Sequence, residues 1–118
     1  MSQISQRKMD ENIQAMMFQM FLGSFSKCKD QGEVANYLGD ILTETEAIVL
    51  AKRLAIALML TKGYNYNQIC DLLKVTPPTI SKVKTWLSMK GDGFRTVLSA
   101  VIEDPDTQEF WEGLRGSR

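Results

Sequence analysis

From Asn65 to Leu87 the apolar positions form two short helical stripes, separated by three residues that fit neither. Ile69, Leu72 and Leu73 share one face at i, i+3, i+4 spacing, which predicts a helix opening at Asn65. Asn65 is a good N-cap, and Gln68 stands where its side chain can reach back to the cap's own N–H. Lys74-Val75-Thr76 breaks the pattern. Thr76 is the expected cap of a second helix, with Pro77 at its first position and Pro78 still inside its first turn, where a missing N–H costs nothing. Ile80, Val83 and Leu87 make that helix's inward stripe, which leaves Thr79, Ser81, Lys82 and Thr85 facing out. No acid lies between Pro77 and Leu87.

Around this pair the periodicity predicts further helices. Met9, Ile13, Met16, Met17, Met20, Phe21 and Phe25 set one from about residue 8 to 25. Methionines on a stripe usually fill a core, yet this stripe is large for so short a chain to cover, which points to a partner subunit. Asp30 is placed to cap a helix through Val34, Tyr37, Leu38 and Ile41. Thr43 and Glu46 form a T-x-x-E capping box for a long helix from Glu44 to about Lys62, and Gly63 stands where such helices stop. Its apolar residues wrap most of its girth, so it is the expected spine, with Tyr64 and Tyr66 bracing the join to the next helix. Residues 88–93, with two glycines, are expected to form a loop. A helix over Phe94, Val97, Leu98, Val101 and Ile102 ends at Pro105, and Asp106 is the expected cap of a last helix carrying Phe110, Trp111 and Leu114. The expectation is one all-α domain over residues 1–118: an N-terminal part and central helix at 8–63, a helix-turn-helix at 65–87, and C-terminal helices at 93–114.

Composition narrows the function. Fourteen Lys plus Arg balance fourteen Asp plus Glu, so indiscriminate coating of nucleic acid is not expected. The charges are segregated, however. Lys62, Lys74, Lys82, Lys84, Lys90 and Arg95 face only Asp71 and Asp92 in the centre, a local +4, while Glu103, Asp104, Asp106, Glu109 and Glu112 crowd the C-terminal end. A basic centre suits docking onto phosphates. Hydroxyls and lysines on the free side of a second short helix match what a helix-turn-helix offers a major groove. Spacing alone also permits the plainer reading of a solvated polar face.

There is no histidine, no Gly-rich phosphate loop and no zinc spacing in Cys28 and Cys70, so nothing nominates an enzyme or a metal site. Two cysteines make no disulfide framework, and reduced thiols with a cytoplasmic home are expected. The longest apolar run, Leu54 to Leu60, is far below the roughly 20 residues a bilayer requires. Arg53 interrupts the spine; it reads either as a surface arginine with its stem along apolar neighbours or as an inward cation awaiting a carboxylate or phosphate.

Taken together, Leu42-Thr43-Glu44-x-Glu46, the Arg53 region, the Gly63 stop and Thr79-Ile80-Ser81-Lys82-Val83-Lys84 resemble the Trp repressor superfamily, over about residues 20 to 95. The run Thr79–Lys84 followed by Gly91-Asp92-Gly93-Phe94 is similar to its YerC/YecD branch. The resemblance implies intertwined, all-helical homodimers whose N-terminal helices share one core. It implies DNA contacts at Asn67, Pro77, Pro78, Thr79, Ser81 and Lys82, to which the basic face adds Lys84, Thr85 and Lys90. Two recognition helices would meet half-sites one helical turn apart. Thr43 and Arg53 fall at positions that hold L-tryptophan in the true repressor, and Lys82 stands where it has a second arginine. The glycine that leaves room for the indole is Val83 here, however, and the serine that meets the ligand's amino group is Trp86. Side chains that fill a pocket leave no room for a co-repressor, so no cofactor is expected. The expected function is a homodimeric, sequence-specific transcriptional regulator, with repression its expected mode. Its rival is a helical interaction module whose basic face binds an acidic partner.

Overall fold

The computed structural model describes residues 7–116, save the Lys90 side chain. Seven helices and no strand occur among them: α1 (Glu11–Phe25), α2 (Gln31–Ile41), α3 (Glu44–Lys62), α4 (Tyr66–Leu73), α5 (Pro77–Lys90), α6 (Asp92–Val101) and α7 (Pro105–Gly116). Two compact units divide the chain, Met1–Val49 and Leu50–Arg118, with the division falling inside α3.

In the first unit, α1 starts at Glu11 rather than near Lys8, because the Asp10 carboxylate accepts from the N–H groups of Asn12 and Ile13 at 2.9 and 3.1 Å. Phe25 meets Phe21 and Tyr37 edge-on, and Ser24 Oγ lies 2.5 Å from Tyr37 Oη, which ties α1 to α2. Asp30 caps α2 as expected, through the Glu33 N–H at 2.9 Å. The Thr43–Glu46 box closes reciprocally, at 3.1 and 2.8 Å. Within the single chain the methionine stripe fills no core. No residue of α1 is buried within the chain, and Met16, Met20 and Leu22 are 58%, 73% and 67% exposed.

The second unit has a conventional core. Ile56, Ala57, Leu58 and Met59 of α3 are buried together with Ile69, Ile80, Val83, Leu98 and Trp111. The spine expectation therefore holds over the C-terminal half of α3, whereas Ile48 and Leu50 are exposed. Gly63, at φ +100°, ends α3 in a left-handed turn that lets the Tyr64 N–H reach the Met59 carbonyl at 3.0 Å. Tyr64 then stacks on Trp111 at 6.0 Å, and Lys62 Nζ sits 5.4 Å from the same indole. Both Tyr64 and Tyr66 pack half-buried against the core.

In this unit the stretch after Leu87, one face of α6 and the start of α7 differ from the sequence expectation. The stretch 88–93 is not a loop: α5 continues to Lys90, Gly91 alone separates it from α6, and Asp92 opens α6. A corner this tight brings Gly91 so close to the Leu87 carbonyl that an added Cβ would overlap its carbon at 2.9 Å. In α6, Val97 is exposed rather than inward. Asp106 does not cap α7. The helix begins at Pro105, and Asp104 accepts from the Asp106 N–H at 2.9 Å. Thr107 is buried, donating its hydroxyl to the Val101 carbonyl at 2.5 Å.

Candidate nucleic-acid interface

Alternating demands on α4 and α5 build the candidate surface. The capping box at Asn65 forms in both directions, with Gln68 N–H to Asn65 Oδ1 at 2.8 Å and Asn65 N–H to Gln68 Oε1 at 2.9 Å. That fixes the start of α4, places Ile69 in the core and leaves Asn67 exposed. The helix stops at Lys74, which adopts φ 56° and ψ 53°. A non-glycine residue in this left-handed region is uncommon. It turns the chain sharply, and Lys52 of α3 donates to the Lys74 carbonyl at 3.4 Å.

Thr76 precedes α5 but does not cap it through its side chain. Its hydroxyl instead lies 3.3 Å from the Thr79 hydroxyl, while its carbonyl receives the Thr79 N–H at 3.1 Å. Of the two amides a cap side chain can use, Pro78 has no N–H and the Thr79 N–H is taken by the Thr76 carbonyl. Pro77 lacks an N–H as well, so the start of α5 cannot grip a phosphate with its first two amides, as many helix N-termini do. Any anion contact there falls to side chains.

Those side chains point outward. Ile80 and Val83 are buried and Trp86 and Leu87 half-buried, so Thr79, Ser81, Lys82, Lys84 and Thr85 form the exposed side of α5, continuous with exposed Pro77 and Pro78. Neither Lys82 nor Lys84 is ion-paired with any described residue. The Lys90 side chain lies outside the described residues; its backbone closes α5. The outer face of α5 thus presents three hydroxyls and two free cations with no carboxylate between them. Such a set donates to phosphate oxygens and to the acceptor edges of bases.

Arg53 stands at the back of α5. It is exposed on α3, and its guanidinium carbon lies 5.2 Å from the centroid of the Trp86 ring. Thr43 belongs to the other unit, where its hydroxyl accepts the Glu46 N–H. Lys82 points to the exposed side of α5, while Val83 is buried.

Two residues that matter to this surface carry no signal in simple patterning. Lys52, whose ammonium reaches the Lys74 carbonyl at the turn, is one of two lysines on α3. Arg95, one of the cations of the basic centre, is engaged: Nη1 donates to the Leu87 carbonyl and Nη2 lies 2.6 Å from Asp92 Oδ1. The i, i+3 spacing allows the pair with Asp92 but does not mark the reach to the Leu87 carbonyl. No group of His, Cys, Asp and Glu among the described residues has a metal-binding arrangement, and none of their helices is long and apolar enough to cross a membrane.

The family model for the Trp repressor protein matches residues 16–102. Among curated proteins, the uncharacterized protein YerC of Bacillus subtilis (strain 168) is 29% identical over 93 residues, covering 79% of this chain and 89% of YerC. No solved structure matches the chain.

Proposed function

The chain belongs to the Trp repressor family, and from that premise we propose that it is a sequence-specific DNA-binding transcriptional regulator, acting as a homodimer and repressing by occupying its operator. The carrying observation is the outer face of α5: Thr79, Ser81, Lys82, Lys84 and Thr85 exposed, opposite buried Ile80 and Val83, on a helix without an acid. In this reading α4 and α5 form a helix-turn-helix, with α5 the recognition helix in the major groove.

Each side chain has a proposed role. Lys82, Lys84 and Lys90 neutralise phosphates, and a partner so anchored binds in a salt-dependent way. Thr79 and Ser81, with Asn67, read base edges directly or through water. Pro77, Pro78 and Thr85 lie against the duplex. The acidic C-terminal end is directed away from it, since carboxylates repel phosphates.

Two further features support the assembly and its control. The exposed apolar residues of α1 form a surface of the kind that marks protein contacts, and a second copy of the chain is its proposed cover. Trp86, under Arg53, and buried Val83 are proposed to occupy the space that a tryptophan co-repressor would need. DNA binding would then need no free L-tryptophan. The proposed home is the cytoplasm.

Selection of bound fragments from a pool of genomic DNA by the purified chain tests the reading. Enrichment of a shared sequence, bound in preference to its scrambled version, is the expected result. Equal binding of all duplexes, or salt-sensitive capture of acidic protein with no duplex preference, would replace it with the interaction-module reading.

A further inference from the structure

Trp86 and Leu87 are consecutive residues of α5, and each is held by an arginine from a different flanking helix. Arg53 of α3 stands over the Trp86 ring at 5.2 Å. Arg95 of α6 donates Nη1 to the Leu87 carbonyl while Nη2 holds Asp92 at 2.6 Å. We infer that Arg53 and Arg95 are positioning residues that fix the roll and the end of α5 for base readout, and are not phosphate ligands. This inference rests on the DNA-binding reading above.

The Leu87 carbonyl is available because Gly91 ends α5 four residues later, leaving the last carbonyls of the helix without intrahelical partners. A cation there also complements the negative end of the helix. Gly91 is what lets the guanidinium in. The residue is buried, and an added Cβ would stand 2.9 Å from Arg95 Nη1. The short Gly91-Asp92-x-x-Arg95 segment therefore forms one unit: glycine makes the corner, aspartate orients the guanidinium, and arginine closes the helix end. An arginine suits this role because its planar fork serves two acceptors at once.

Packing alone would leave the recognition helix underdetermined. The buried stripe of α5 is narrow, with Ile80 and Val83 its fully buried residues, and apolar attraction is non-directional. A roll of about 15° would carry a side-chain tip some 5 Å from the helix axis through about 1.3 Å. That exceeds the roughly 0.5 Å window of heavy-atom distances over which a hydrogen bond forms. Arg53 meets a side chain that projects from the helix, whereas Arg95 meets a backbone carbonyl that points along its axis, so the two grips resist different displacements.

The test uses the full chain. The wild type is first scored on a duplex selected from genomic fragments and on its scrambled version; failure to discriminate there would overturn the DNA-binding reading, and this inference with it, before any variant is made. Arg53→Gln, Arg95→Gln and Arg95→Lys are then titrated on both duplexes across salt concentration, with helix content and melting followed by circular dichroism. Expected for each is about a tenfold loss on the selected duplex, comparable to the effect of one mismatched base pair. Affinity for the scrambled duplex and the log–log salt slope should stay unchanged. Arg95→Lys should fail as Arg95→Gln does, since an ammonium cannot span both acceptors, and it supplies the answer if Arg95→Gln does not fold. A slope reduced by about one unit on removal of the charge, and restored in Arg95→Lys, would make Arg95 a phosphate ligand. An unchanged ratio of selected to scrambled affinity in all three variants would remove both arginines from DNA recognition. Either result overturns the inference.

Discussion

The Arg53 guanidinium stands over the Trp86 ring, 5.2 Å from its centroid. A cation–π contact at a half-exposed position stabilises by about 0.5–1 kcal/mol, enough to favour one arrangement of the indole. A free amino acid offering the same ring to the same guanidinium must displace it. Calorimetric titration with L-tryptophan is therefore expected to give no saturable heat in the micromolar range, and the selected duplex is expected to bind equally with and without the amino acid. Saturable micromolar binding would show that the Trp86 side chain yields the space.

Much of the architecture was legible because capping and periodicity are local. The Asn65–Gln68 and Thr43–Glu46 boxes, the Gly63 stop and the Ile80/Val83 stripe all needed only residues within one or two helical turns. The errors lie where a longer-range contact decides. Ser88 to Lys90 read as loop because glycines follow them, yet α5 runs on to Gly91, where Arg95 closes it. Asp106 read as a cap, but Pro105 can start a helix and Asp104 lies one residue earlier, within reach of the freed amides. The methionines of α1 are not among these errors: their stripe is too large for one chain to cover and they are exposed, while spacing alone does not say what covers them. Within the candidate interface, the outward residues of α5 followed from the inward stripe. The roles of Lys52 and Arg95 did not, because both act on backbone carbonyls that no sequence pattern marks.

Lys82 and Lys84 are exposed and unpaired, so neither is needed to neutralise a neighbour. Lys82→Ala and Lys84→Ala should each weaken binding to selected and scrambled duplexes alike, and lower the log–log salt slope by about one unit for each phosphate released. Fluorescence anisotropy across a salt series measures both. A slope unchanged in both variants would remove the lysines from the phosphate-binding set.

Thr79 differs in kind. Its hydroxyl is exposed, with the Thr76 hydroxyl 3.3 Å away, and it carries no charge to release a counterion. Thr79→Ala should leave the salt slope alone and cost roughly 1–3 kcal/mol on the preferred sequence, the value of one base position. Repeating the fragment selection with the variant should shift the preference at one position per half-site. An equal loss on every duplex would make Thr79 a backbone-positioning contact.

The exposure of Met16, Phe18, Met20 and Leu22 on α1 predicts that these residues are covered by a second copy. Sedimentation should give twice the 13.3 kDa of the chain. Met20→Asp together with Leu22→Asp should release monomers, since a buried, unpaired carboxylate is costly at an apolar interface. Monomers from the wild type at micromolar concentration would exclude this assembly.

The turn between α4 and α5 depends on a conformation that its residue tolerates rather than prefers. Lys74 sits at φ 56°, ψ 53°, where a side chain crowds the following carbonyl at a cost of about 1–2 kcal/mol, and only glycine escapes it. Its ion pair with Asp71 is 3.7 Å long and largely solvent-exposed, so removing that pair should change little. The backbone therefore dominates the outcome. Lys74→Gly relieves the crowding but gains freedom in the unfolded chain, so its stability should match or slightly exceed the wild type. Lys74→Val adds a second branch at Cβ in the least tolerant region and should lose about 1–2 kcal/mol, read as a lower urea midpoint with unchanged m-value. Because this residue sets the direction in which α5 leaves α4, Lys74→Val should also lose preference for the selected duplex while still folded, and Lys74→Gly should keep it. Equal stability of the two variants would mean that the chain passes from α4 to α5 by a turn that is not left-handed at Lys74.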